Sequence, residues 1–264
     1  MANHALCVGI NDYPGTRLDL RGCVNDATDW QSALADGGYS PVLLTDASAT
    51  RDAVMDALRT LIGNAVSGDS CVFTFSGHGS WLPDESGDES DERDELLCPY
   101  DVMQHAYILD DDLYQVFSTK ASGVRITMVS DSCHSGTVVR AAPKLERPAT
   151  DAAGARLLPP YVLAQGDRRL ERAIDRAVRK PATTKLRYPA LLLAACADDE
   201  LSYDASFDGR PNGAFTRTAL TALATGVTTP QALYDEIRKT LPTEWFPQTP
   251  QIHGSRAARN GPLF

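Results

Sequence analysis

Two short apolar runs, Cys71-Val72-Phe73-Thr74-Phe75 and Val124-Arg125-Ile126-Thr127-Met128-Val129, each stop in a small-residue segment that carries a chemically useful side chain. The first leads into Ser76-Gly77-His78-Gly79, the second into Ser130-Asp131-Ser132-Cys133-His134-Ser135-Gly136. Runs this short, β-branched or aromatic and closed by Ser or Gly, read as buried strands of a parallel sheet. Similar runs at about 4–10, 41–45 and 189–196 alternate with helical patterns at about 24–37, 50–65, 110–119, 213–225 and 230–241. That alternation predicts an α/β fold, a mostly parallel sheet with helices on both faces. Sites in such sheets form at the carboxyl edge of the strands, so both motifs are delivered to one place.

A cysteine beside an imidazole becomes a thiolate nucleophile at neutral pH. His78 lies between two glycines that leave its backbone open to a close-approaching ligand, and Cys133 follows 55 positions later. A lone histidine after a strand is more often a packed side chain than a catalyst; the joint pattern with Cys133 favours a cysteine hydrolase.

At 264 residues and 43% hydrophobic, the chain can bury one large core or two small ones, and one α/β domain is the economical reading. Its first ten residues lack a basic leader, and no stretch approaches the roughly 18 apolar residues of a membrane span. A protein of the cytoplasm without a membrane partner is expected. The six cysteines have no zinc-type spacing and read mostly as reduced core residues. The formal net charge is -10, of which the segment from Asp84 to Glu95 supplies -7, eight carboxylates against Arg93. The near-neutral remainder argues against nucleic-acid binding. Between Gly136 and Tyr188 the periodicity breaks, and Pro143, Pro148, Pro159, Pro160 and Pro181 punctuate a segment rich in Ala, Arg and Lys, with one helix expected near 165–179. This reads as an exposed linker, 137–187, joining a larger piece, 1–136, to a smaller one, 188–264, of the same sheet.

The motifs resemble those of the metacaspases and the bacterial orthocaspases, within the caspase-like cysteine peptidases of family C14. Besides Ser-Gly-His-Gly and Asp-x-Cys-His-Ser-Gly, the likeness includes Val8-Gly9-Ile10-Asn11-Asp12-Tyr13, Leu20-Arg21-Gly22-Cys23-Val24-Asn25-Asp26-Ala27, Gly87-Asp88-Glu89, Asp94-Glu95, Ile108-Leu109-Asp110-Asp111-Asp112-Leu113 and Gln248-Thr249-Pro250-Gln251, in order along nearly the whole chain. The resemblance implies a caspase-like three-layer α/β/α sandwich around about six strands. It makes Cys133 the nucleophile of a cysteine endopeptidase and His78 its base, with a thioester intermediate. The oxyanion hole is expected at the amides of Gly79 and Cys133. His134 is expected to be structural.

Asp131 lies two positions before the nucleophile, and Asp26 lies in a segment resembling the family's pocket wall, with Cys23 and Ser76. Two carboxylates select a cation: arginine through a bidentate pair, lysine as a point charge. Cleavage after Arg or Lys of protein or peptide substrates is therefore expected. Without the resemblance, Asp26 reads equally well as a helix N-terminal carboxylate. Asp94, Asp110 and Asp111 resemble the family's calcium site, so calcium activation is implied. Against it, Arg140 stands where an aspartate is common, and Asp88, Asp91 or Asp112 would have to compensate. The bland readings are a solvated acidic loop and, for 110–112, a capped helix N-terminus. Arg140, Lys144, Arg147, Arg168, Arg169, Arg179, Lys180, Lys185 and Arg187 make the linker a target for self-processing of a zymogen. A monomer is expected. The alternatives are a non-catalytic caspase-fold binding or signalling module, and a hydrolase of non-peptide esters or thioesters, which the double-acid pocket disfavours.

Overall fold

A computed structural model of the protein describes residues 2–84, 93–133, 154–178 and 189–264. The chain runs through β1 (Asn3–Gly9), α1 (Cys23–Asp36), β2 (Ser40–Thr45), α2 (Arg51–Gly63), β3 (Ser70–Ser76), β4 (Gly79–Pro83), β5 (Arg93–Leu97), β6 (Ile108–Leu109), α3 (Asp110–Ser118) and β7 (Arg125–Asp131). It continues through β8 (Gly154–Ala155), α4 (Pro160–Ala164), α5 (Arg168–Ala177), β9 (Leu191–Ala194), β10 (Tyr203–Phe207), β11 (Arg210–Gly213), α6 (Ala214–Leu223), α7 (Pro230–Ile237), β12 (Gln251–His253) and α8 (Arg256–Asn260).

The main sheet has the order β12-β9-β7-β3-β1-β2. All its pairings are parallel except that of β12 with β9. Alternation along each strand separates two cores, as the pleat requires. Leu6, Val8, Cys71, Phe73, Phe75, Ile126 and Met128 face one layer, with Val54, Leu58 and Ile62 of α2 and Leu113 and Phe117 of α3. Ala5, Cys7, Val72, Val129, Leu191 and Leu193 face the other, with Trp30 and Leu34 of α1, Phe215 of α6 and Leu233 of α7. The result is the three-layer α/β/α sandwich expected from the sequence. The start of α2 is fixed by Thr50, whose hydroxyl accepts from the Ala53 amide at 3.3 Å.

Register brings the chemistry to one edge. Gly9 is the partner of Ser76, and Ser76 is the partner of Asp131, so three strands end level with one another. The N-terminus of α1 packs against the same end. A Cβ on Gly9 would stand 2.3 Å from the Cys23 carbonyl oxygen and 2.7 Å from the Ala27 Cβ. Gly9→Ala is therefore expected to destabilise the fold by about 2 kcal/mol, read as a lower denaturant midpoint at unchanged slope; an unchanged midpoint would refute the tight contact.

Three features differ from the sequence expectation. The segment around the acidic run is bordered by an antiparallel ladder, β4-β5-β6, whose short strands, of which only β5 is charged, carry no clear alternation. A second three-stranded sheet, β11-β10-β8, contains a two-residue hairpin turn at Asp208-Gly209, with φ of 54° and 82°. Most consequential, residues 154–178 of the expected exposed linker pack onto the fold through selected side chains, while 165–169 stay exposed. Arg156, Leu158, Leu163 and Ile174 are all fully buried. The expected helix near 165–179 is α5, whose Asp167 side chain caps the amides of Arg169 and Leu170; its Ile174 and Ala177 pack on Trp81 with Ala164 of α4. Proline and charge disguise this segment, because its short apolar runs, Leu157-Leu158 and Tyr161-Val162-Leu163-Ala164, are broken by Pro159-Pro160 and followed by charged sequence.

Candidate active site

His78 lies two residues beyond the end of β3, just before β4, and is buried. Its amide donates to the Tyr13 hydroxyl at 2.7 Å, its carbonyl accepts from Cys98 at 3.0 Å, and the Tyr13 ring lies 4.6 Å from the imidazole. The ring Nε2 meets the Leu18 carbonyl at 2.6 Å. A carbonyl can only accept, so Nε2 carries the proton and Nδ1 carries the lone pair. Among the described residues Nδ1 has no hydrogen-bond partner. Burial pushes the imidazole pKa down to about 4, offset in part by the Leu18 and Arg156 carbonyls. The ring is thus a neutral base at physiological pH.

Cys133, two residues beyond the end of β7, is also fully buried. Its sulfur accepts from the Ser202 amide at 2.8 Å and lies 3.5 Å from the Ser202 carbonyl. What covers it is the extended segment around β8. Arg156 donates its amide to Ser202 O at 3.0 Å, and its own carbonyl oxygen accepts from Gly79 N at 3.0 Å and from Cys133 N at 3.2 Å. Both amides that sequence reasoning assigned to an oxyanion hole therefore point at one carbonyl of the chain itself. On the far side of that carbonyl, Leu158 N donates to Gly79 O at 2.9 Å.

The Arg156 guanidinium enters a closed acidic pocket. Nη2 pairs with Asp26 at 2.6 Å and with Asp204 at 2.9 Å. Nη1 pairs with Asp131 at 3.1 Å and bonds Ser76 Oγ at 2.8 Å. Burial works against the charge on Arg156, but Asp131, Asp26 and Asp204 more than offset it and hold its pKa above the ordinary arginine value. For Asp26 burial dominates and raises the pKa in spite of Arg156. Each carboxylate is held by further donors. Asp26 accepts from Ser76 Oγ, Asn212 Nδ2 and Gly213 N. Asp131 accepts from Ser202 Oγ at 2.6 Å and from both Thr216 N and Thr216 Oγ1. Cys23, the first residue of α1, is buried in the same wall, and burial pushes its thiol pKa up.

The structure thus brings His78, Gly79, Cys133, Cys23, Asp26, Ser76 and Asp131 around the arginine and its carbonyl. The helix-dipole reading of Asp26 is incomplete, since its carboxylate spans from the first turn of α1 to Arg156, Ser76 and Gly213. Sequence reasoning missed Arg156, Asp204, Ser202 and Asn212. The available signal was Asp208-Gly209, a hairpin turn pair that places Asp204 and Asn212 on adjacent strands. Gln248 of the Gln-Thr-Pro-Gln motif is buried and braces the site. It donates to Ala195 O at 3.0 Å and accepts from Tyr203 N at 3.2 Å, tying the end of β9 to β10.

Asp94 lies on β5 and Asp110 and Asp111 open α3, at one end of the β5-β6 ladder. Among the described residues no group of three or more His, Cys, Asp or Glu side chains comes together as a metal site. Asp112 has the structural role weighed for this stretch: it accepts from Leu109 N at 3.2 Å and pairs with Arg51 at 2.9 Å. His134, Asp88, Asp91, Arg140, Lys144, Arg147, Arg179, Lys180, Lys185 and Arg187 lie outside the described residues. Arg168 and Arg169 are exposed on α5. No helix of the described residues is long and apolar enough to cross a membrane.

Residues 3–142 match the profile of the metacaspase peptidase C14 domain. The chain is 33% identical to Metacaspase-1 of Botryotinia fuckeliana, with 98% of this chain and 69% of that protein aligned. It is 30% identical to Metacaspase-1 of Cryptococcus neoformans, with 98% of this chain aligned and 64% of that protein's length spanned. Among solved structures, a protein from Geobacter sulfurreducens superposes with a TM-score of 0.74 at 30% identity, covering 96% of this chain and 93% of the other.

Proposed function

Because this chain belongs to the metacaspase peptidase C14 family, we propose that it is a cysteine endopeptidase that cleaves after a basic residue, arginine above all, and that its own Arg156 is its first substrate. The observation that carries the reading is the seat of Arg156, with its side chain among three carboxylates and its carbonyl on the amides of Gly79 and Cys133.

In the proposed reaction the Cys133 sulfur attacks that carbonyl carbon as its proton passes to the free Nδ1 of His78. Leu18 fixes the tautomer that makes Nδ1 the acceptor. Charge developing on the carbonyl oxygen is met by two amides already in place. His78 then gives its proton to the leaving amide nitrogen, the C–N bond breaks, and an amine departs from a Cys133 thioester. Water, deprotonated by His78, adds to the thioester and releases the carboxylate and the thiol.

The test is an assay of the purified protein and of Cys133→Ala on fluorogenic peptides ending in Arg, Lys or Asp, with calcium or with a chelator. Cleavage after Arg or Lys, falling by at least about 1000-fold in the variant, is expected. Cleavage only after Asp would refute the basic-residue preference, and silence on every peptide would make the chain a non-catalytic binding module. The chelator arm reports whether the carboxylates near Asp94 and Asp110 bear on activity.

A further inference from the structure

Resting on that reading of the pocket, we propose that Asp204 is a specificity-determining residue that makes the site select arginine over lysine. The two terminal nitrogens of the guanidinium are served separately. Nη1 belongs to Asp131 and Ser76, whereas Nη2 belongs to Asp26 at 2.6 Å and Asp204 at 2.9 Å. A planar fork fills both positions at once. A lysine ammonium is a single nitrogen and fills one of them, leaving the carboxylates at the other with their amide and hydroxyl donors but buried without a cation beside them. A buried carboxylate that loses its cation carries an uncompensated charge, a cost large enough to discriminate between substrates of similar size. Without Asp204 the Nη2 position holds one carboxylate instead of two, so a lysine at the Nη1 position strands less negative charge and the preference narrows.

The third carboxylate is a built feature. Arg156 is fully buried and Asp204 is nearly so. Asp204 is held by the amides of Arg21 at 2.9 Å and Gly22 at 3.0 Å, immediately before α1. Asp26 and Asp131 receive the amides of Gly213 and Thr216 at the start of α6. Two helix N-termini thereby offset the negative charge that exceeds the one guanidinium. Gly22 leaves room for this: a Cβ there would stand 2.5 Å from Asp204 Oδ1. Asp204 comes from the piece of chain beyond the linker, so specificity requires β10 to pack against α1.

Paired peptides differing only in a terminal Arg or Lys would be assayed on the Arg156→Ala chain, whose pocket holds no guanidinium of its own, and on the same chain carrying Asp204→Asn. The parent should prefer Arg by about 100-fold in kcat/KM, and Asp204→Asn should bring that ratio below about tenfold, mainly by loss on Arg. A purely structural role would lower both substrates together and leave the ratio unchanged, which would overturn the assignment. If Asp204→Asn does not fold, the parent decides alone: Lys cleaved within about tenfold of Arg overturns it. A parent that cleaves neither peptide overturns the peptidase reading itself, a failure distinct from an unchanged ratio.

Discussion

Purified at neutral pH, the chain is expected to split between Arg156 and Leu157 into fragments 1–156 and 157–264, while Cys133→Ala remains in one piece. The scissile carbonyl already sits on the amides of Gly79 and Cys133 at 3.0 and 3.2 Å. Its side chain is locked by ion pairs, and both flanks are held as strand, Tyr203 against Ala155 and Leu158 against Gly79. Positioning of this kind removes most of the entropy that an intermolecular substrate must lose, and it accounts for several powers of ten in rate. Intact-mass analysis should find a new N-terminus at Leu157. Arg156→Ala should abolish that product and also remove any lag in cleavage of added peptide, because the pocket then starts empty. Cuts confined to other basic residues, with the Arg156 bond intact, would sink the assignment.

Departure of the fragment end has a structural basis. Upstream of the cut the described residues pair with β10 only through the two residues of β8, so what retains the new end is the Arg156 side chain in its pocket, which a substrate arginine has to displace. Downstream, Leu158 and Leu163 are fully buried in the main core, so residues 157–178 should stay docked after cleavage. The opening is expected on the upstream side alone, where a substrate strand can take the place of β8.

The sheet was legible in the sequence because its strands are bounded apolar runs with one motif at each functional end. The placement of His78 and Cys133 at one edge followed from two converging strand ends, and that of Asp26, Ser76 and Asp131 beside them followed from the resemblance and from proximity to Cys133. Arg156 was not legible. It is one of many basic residues of the linker, and the property that singles it out, a carbonyl directed at two amides, arises only when the segment threads between β4 and β10. Asp204 is one acid in Asp-rich sequence; its role depends on a hairpin whose turn signal, Asp208-Gly209, is local while its partner, the start of α1, is about 180 residues away. Long-range pairing of single polar residues leaves no periodicity to read.

Gly213→Ala is expected to lower kcat/KM for arginine peptides by at least about 100-fold, the loss that a displacement of about 1 Å can cause. Gly213 has φ of -71° and ψ of 138°, a backbone that any residue adopts, so its glycine is not explained by conformation. The explanation is space. A Cβ there would stand 2.2 Å from Asp131 Oδ2, 2.7 Å from Arg156 Nη1 and 2.8 Å from the guanidinium carbon. The added methyl competes directly with the side chain the pocket takes, and it presses on a carboxylate already fixed by Thr216. Gly209, at the hairpin tip with φ of 82° and nothing near its Cβ position, is the control: Gly209→Asn keeps a residue that tolerates that backbone and should leave kcat/KM within about twofold. Thermal melts of both variants separate the effects. A Gly213→Ala chain that melts near the parent temperature yet fails on arginine peptides identifies the missing methyl as the opening of the pocket, whereas full activity in that variant would mean that substrate arginine does not lie where Arg156 lies.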